Sequence, residues 1–212
     1  MARQLDAFAQ CLIRSGMSEE GFVGALTSTS LSRLQAWTLS DLERLLSASL
    51  RHDLDPSSGR EIFMVPDSAG GAPLLVVSVD GWSRILNSHP QFAGMQFKES
   101  EQLEDGLPAW IECTLHRWDR RVPTKVREYL GEVRGLSQAW ITHPRRMLRH
   151  KAMIQCARVT FGLSDIVDAD EASRIIDARE TQGALKPHGR HHFASAQREP
   201  MGVQELSAAL GV

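Results

Sequence analysis

An α+β domain is the fold class this sequence predicts, and three observations predict it. Apolar residues recur at helical spacing near both ends, two short apolar runs flank a glycine-rich linker, and one mid-chain segment alternates strictly. LSDLERLLSASLRHDL carries Leu42, Leu45, Leu46 and Leu50 three and four apart, so residues 1–52 are expected to be helical. Ser40, with Glu43 three residues on, is the expected N-cap in a capping-box pattern. DPSSGR (55–60) then reads as a turn. EIFMVPD and APLLVVSVD, joined through SAGGA, read as paired strands. Asp80 is the expected cap of a short helix, DGWSRILNS, which Pro90 ends.

In WIECTLHRW (110–118), Ile111, Cys113 and Leu115 fall on one face and Glu112, Thr114 and His116 on the other. With DRRVP as a polar turn and TKVREYL as the return, this predicts a hairpin that projects basic residues. Pro144 suits the first position of a helix running to Phe161, where Gly162 supplies the stop. DADEASRIIDARE (168–180) predicts another helix. After it, TQGALKPHGRHHFASAQREPMG is loose and rich in Gly, Pro and His, and VQELSAALGV fits one short terminal helix. No internal repeat is visible. The expected architecture is a small antiparallel sheet packed with helices, with helical N- and C-terminal segments.

Several function classes are disfavoured at once. No run approaches the roughly 18 consecutive apolar residues of a membrane span. The N-terminus, MARQLDAFAQCLIRSGMSEE, has acidic residues and no small-residue cleavage pattern, so it does not read as a signal peptide. Cys11, Cys113 and Cys156 are odd in number and widely spaced, which fits buried thiols in a reducing cytoplasm rather than a disulfide framework or a zinc site. Phosphate-cradling GxxxxGK loops and paired-cysteine motifs are absent, arguing against nucleotide hydrolysis and zinc.

The net charge of −2 conceals an uneven distribution. From Cys113 to Gly162 there are 11 Lys and Arg against 3 Asp and Glu, a local +8 that the remainder offsets with −10. A basic block in an acidic chain is the footprint of a polyanionic partner, although acidic loops of the same molecule would also neutralise it. Within the predicted helix 144–161, Arg145, Arg149 and Arg146 share one arc with His150 just beyond. Lys151 and Arg158 form a second basic stripe, and apolar residues separate the two. No acid lies within the segment. Phosphates would satisfy these cations, as would carboxylates from elsewhere in the fold. Trp140 and His143, just before the helix, suit a sugar or base face, with a core role the alternative for Trp140. The helix start adds backbone N–H groups for an anion.

SVDGWSRILNSHPQFAGMQF (78–97) and HPRRMLRHKAMIQCARVTFGLSDIVDADEASRI (143–175) resemble two signature blocks of the phage lambda Red beta group, within the RecT-like single-strand annealing proteins. REIFMVPD (60–67) matches the segment before them, and the resemblance runs over about residues 50–178. It implies ATP-independent annealing of complementary single-stranded DNA beside a 5′-to-3′ exonuclease, by oligomers in rings or helices with DNA along a basic groove. No cofactor and no catalytic residue are implied, and the compartment would be the bacterial cytoplasm.

On that resemblance Arg60 is a phosphate-facing position, and Trp140, His143, Arg145, Arg146 and Arg158 fall in the groove, with Arg149, His150 and Lys151 in the same block. Arg145 stands where relatives commonly carry Lys. The link GEVRGLSQ is shorter than in the family's best-known member; Arg134 supplies what basic character remains, and Arg120, Arg121, Lys125 and Arg127 in the hairpin are candidates to compensate. The expected organisation is one DNA-binding and oligomerisation domain over 1–178 and a short tail over 179–212. In that tail the family's module for docking the exonuclease and the host single-strand-binding protein would be truncated or replaced.

Two rival readings follow from the residues alone. A metal-dependent nuclease would use Asp80, His116, His143 and His150, yet no carboxylate pair or HExxH-like spacing supports it. PHGRHH (187–192) would suit a metal, but a solvated tail is the simpler account. A non-catalytic phage assembly protein with a basic surface is the other.

Overall fold

The computed structural model describes residues 2–184, and it has an α+β fold. The expected terminal helix and the PHGRHH stretch lie outside the described residues. The chain divides into two compact units. One runs to Arg84 and resumes at Val167; the other is Ile85–Ile166.

The first unit opens with three helices, α1 (Ala2–Ser15), α2 (Glu19–Ser28) and α3 (Leu39–His52). Leu42, Leu45 and Leu46 of α3 are buried, as their spacing predicts. Phe8 of α1 meets Phe22 of α2 edge to face, with ring centroids 5.6 Å apart. The cap of α3 lies two residues earlier than expected. Thr38 accepts the Asp41 N–H, and the Asp41 carboxylate accepts the Thr38 N–H, so the capping box is Thr38–Asp41 rather than Ser40–Glu43. Two strands follow, β1 (Ile62–Val65) and β2 (Leu74–Val77), paired antiparallel with Ile62 opposite Val77. Ser30, fully buried, donates to the Pro56 and Ile62 carbonyls and ties the α2–α3 connection to β1.

A helix α4 (Val79–Ser88) then begins at Val79, so Asp80 sits in its first turn rather than at its cap. Ser78 takes the capping role by accepting the Gly81 N–H. The last helix of the described chain, here α8 (Ala169–Ala184), extends beyond the expected 168–180. The Asp168 carboxylate accepts the Asp170 and Glu171 N–H groups at its start. It packs against β2: Ala172 is buried with Phe63 and Val76, and Arg179 pairs with the buried carboxylate of Asp67.

The second unit is a three-stranded antiparallel sheet with a helix on one face. Its strands are β3 (Phe92–Glu99), β6 (Trp110–Arg117) and β7 (Thr124–Tyr129), with β6 central. A small hairpin, β4 (Leu103–Glu104) with β5 (Leu107–Pro108), joins the first two. Two short helices, α5 (Leu130–Val133) and α6 (Gln138–Thr142), lead into α7 (Pro144–Phe161). Helix α7 lies against β6 and β7.

Alternation dictates which face α7 covers. Ile111, Cys113 and Leu115 are fully buried, and Phe97 and Val126 flank Cys113 on the same side. Glu112, Thr114 and His116 point the other way, as their alternation predicts. Through residues 151–157 the helix is buried on nearly every side, save Gln155. That explains why its apolar residues form no single stripe. Gly162 ends α7 at φ 72°, donating to the Arg158 carbonyl. The three cysteines are buried free thiols.

Candidate functional site

The first two turns of α7 collect the positive charge. Pro144 fixes the first turn, and His143, at the N-cap, makes no side-chain cap, so nothing from that side chain satisfies the first backbone N–H groups. Arg145, Arg146 and Arg149 are exposed here, His143 is exposed beside them, and His150 is half-buried. His143 Nδ1 lies 2.9 Å from the Thr142 hydroxyl.

The counter-charge absent from this segment comes partly from β3. Glu99 lies on the sheet face that carries Ile111, opposite it in register, and therefore faces α7. Its carboxylate accepts from both Arg145 and Arg149, the latter at 2.9 Å. These guanidiniums, Arg145 foremost, hold the Glu99 carboxyl below the usual carboxylate range, and Glu99 in turn raises the Arg145 pKa. Two arginines thus converge on one oxyanion, the geometry in which guanidinium recognises carboxylate or phosphate. Arg146 lies on the neighbouring flank of the helix.

The other sequence-predicted residues part company. Trp140 is 1% exposed and packs against Gly135, where a Cβ would stand 2.7 Å from its ring. It is a core aromatic with no face open to a strand. Lys151 is only 8% exposed, so the second basic stripe is not an open surface. Arg158 is half-buried and donates to the Ile166 carbonyl, bracing the chain after α7. Arg134 pairs with Asp105 at 2.9 Å. Arg127 pairs with Glu112 at 3.0 Å and covers the Trp110 ring at 3.9 Å. Arg120, Arg121 and Lys125 are exposed at the tip of the β6–β7 hairpin. Arg60 is exposed in the other unit.

Two participants had escaped sequence reasoning. Glu99 is 46 and 50 residues from its arginines, and no local pattern links them. Arg117 anchors the hairpin: its guanidinium donates to both Asp119 oxygens at 2.8 and 2.7 Å and to the Thr160 carbonyl of α7 at 2.8 Å. The R-x-D spacing at 117–119 was the available signal. Among the described residues, no three His, Cys, Asp or Glu side chains form a group that would hold a metal ion, and no helix is long and apolar enough to cross a membrane.

A recombination protein of Escherichia phage lambda, named bet, is 41% identical over 143 residues, which is 63% of this chain and 51% of that protein. The chain therefore spans about half the length of this curated relative. The RecT family pattern matches residues 23–183, reaching from α2 into α8 and taking in both units, and on that extent the chain belongs to the RecT family.

Proposed function

We propose that this protein binds single-stranded DNA and anneals complementary strands in phage-type homologous recombination, without ATP, as a ring or helical oligomer. The observation that carries the reading is the Arg145–Arg146–Arg149 cluster at the exposed start of α7, in a RecT family chain. The similarity to a lambda recombination protein supports the same process. Annealing without nucleotide hydrolysis requires one strand to be held by its backbone with its bases free. Guanidiniums on phosphates do this, because phosphate contacts fix register without reading sequence. His143 and the uncapped helix start offer further donors to the same backbone. The hairpin cations Arg120, Arg121 and Lys125 would extend the phosphate track, Arg60 is a separate candidate phosphate contact in the other unit, and a phage 5′-to-3′ exonuclease would supply the single strand. Docking to that exonuclease or to a host single-strand-binding protein, and a domain extending over 1–178, belong to the same proposal.

The discriminating variant is Arg145→Glu with Arg146→Glu. Arg158 is a poor choice because it also braces the Ile166 carbonyl, so its loss confuses fold with binding. Both chosen side chains are exposed, so circular dichroism should be unchanged. Affinity for a 30-nucleotide single strand should fall by roughly a hundredfold or more, since two attractions become two repulsions. Mixing the protein in sequence with two complementary oligonucleotides should give annealed product on a ring or helical assembly with the unmodified chain and none with the variant. Normal annealing by the folded double variant would refute the assignment.

A further inference from the structure

Trp118 is the least expected residue on the surface. Among the five tryptophans, Trp37, Trp82 and Trp140 are 7%, 0% and 1% exposed, and Trp110 is half-buried beneath Arg127. Trp118 is 75% exposed at the tip of the β6–β7 hairpin, with Val122 79% exposed a few residues on. An indole left in water forgoes one of the largest burial gains a side chain offers, so such exposure is informative.

The tip is also held. Trp118 donates its backbone N–H to the Gln91 carbonyl at 3.0 Å. Arg117, immediately before it, is fixed by Asp119 and by the Thr160 carbonyl, and lies over the Phe161 ring at 5.1 Å. The ring is thus displayed from a braced base. Asp119 is the one acid between Arg117 and Lys125, and Arg117 already binds both its oxygens. Arg120, Arg121 and Lys125 therefore leave the tip strongly positive around an open aromatic face.

We propose that this tip is a base-stacking platform for single-stranded nucleic acid, with Trp118 stacking on an unpaired base while Arg120 and Arg121 hold the adjacent phosphates. The proposal rests on the reading of the protein as a strand binder and adds to it a contact to a base. Charge complementarity selects the occupant: an aromatic ringed by cations fits a polyanion that carries π-faces. A second copy of this chain would need to present an acidic apolar patch to match. Stacking is tolerant of sequence because every base has a π-face, so it suits a protein that must hold any strand.

The test compares a 30-nucleotide oligothymidine with a 30-unit abasic oligonucleotide of the same charge, using the full chain. Trp118→Ala should lose about 5- to 150-fold in affinity for oligothymidine and almost nothing for the abasic chain. Trp118→Phe should retain most of the binding. In the unmodified protein, oligothymidine should shield tryptophan fluorescence from acrylamide, because the most exposed indole becomes covered. Equal affinity of Trp118→Ala and the unmodified protein for oligothymidine overturns the proposal, as does an equal loss on both oligonucleotides. Smaller assemblies of Trp118→Ala in sedimentation without nucleic acid, with the per-protomer affinity kept, would assign the tip to a second copy instead. Failure of the unmodified protein to bind either oligonucleotide would overturn the functional reading itself, and this one with it.

Discussion

Glu99 shows how a single side chain sets the resting state of the basic cluster. It pairs with both Arg145 and Arg149 in the absence of a ligand, offsetting one of their two charges, so a phosphate must displace it to use both guanidiniums. Under the annealing reading, Glu99→Gln should therefore tighten binding to a single strand by roughly three- to tenfold, from removal of one competing charge near the site. The fold should be little affected, because the arginine side chains are 61% and 47% exposed and such surface pairs contribute little. Fluorescence anisotropy with a labelled oligonucleotide reads the effect; unchanged or weakened binding would mean that the carboxylate orients the arginines rather than competing for them. The arginines themselves were legible in the sequence, since their helical arc follows from spacing. Their partner was not, because a pair 46 or 50 residues apart is created only when β3 and α7 pack.

At the scale of elements, the long or regularly patterned segments were the readable ones. Helix α7 was plain from Pro144 and Gly162 at its ends, and β6 from its alternation. Strand β3 was not recognised because its alternation breaks: the register shifts between Phe92 and Met95, and Gly94 there takes φ 109°, a region closed to most side chains. The β4–β5 hairpin did carry a local signal that was overlooked. Asp105 and Gly106, at φ 53° and 77°, are the Asp-Gly pair favoured by tight two-residue turns. The joint between the start of β3 and the end of α7 makes a pH prediction. His89 stacks on Phe161 with centroids 3.9 Å apart, and its Nδ1 accepts the Gln91 N–H. Burial, and then the Arg117 charge, lower its pKa, with Asp119 opposing. The folded state thus resists a proton that the unfolded chain accepts near its ordinary pKa of about 6.5. Stability should be level above that pH and decline as pH falls below it, until the depressed folded pKa is passed. His89→Phe, which keeps the stack without the titration, should flatten this decline in urea denaturation at pH 7.5 and pH 5.5. An equal decline in both proteins would assign the acid sensitivity elsewhere.

Over the whole molecule, segregation of charge matters more than its sum. A total of −2 would predict indifference to polyanions, yet the segment from Cys113 to Gly162 carries +8. Where that charge is open depends on packing, which the sequence could not show. Lys151 is buried, Arg158 braces backbone, and Arg127 and Arg134 hold acids, while Arg120, Arg121, Lys125 and Arg146 stand exposed and Arg145 and Arg149 share Glu99. Each phosphate neutralised on a single strand contributes about −0.7 to the slope of log affinity against log salt. Four open cations therefore predict a slope of about −3, and displacement of Glu99 to release two more steepens it to about −4. Arg145→Glu with Arg146→Glu should flatten the slope toward that of the hairpin cations alone, about −2. Titrations between 50 and 300 mM salt measure all of these on one short oligonucleotide that seats a single protomer. A slope near zero for the unmodified protein would show that binding, if present, does not proceed through phosphate neutralisation, and the basic segment would lose its role. A steep slope unchanged in the double variant would move the phosphate contacts off the start of α7.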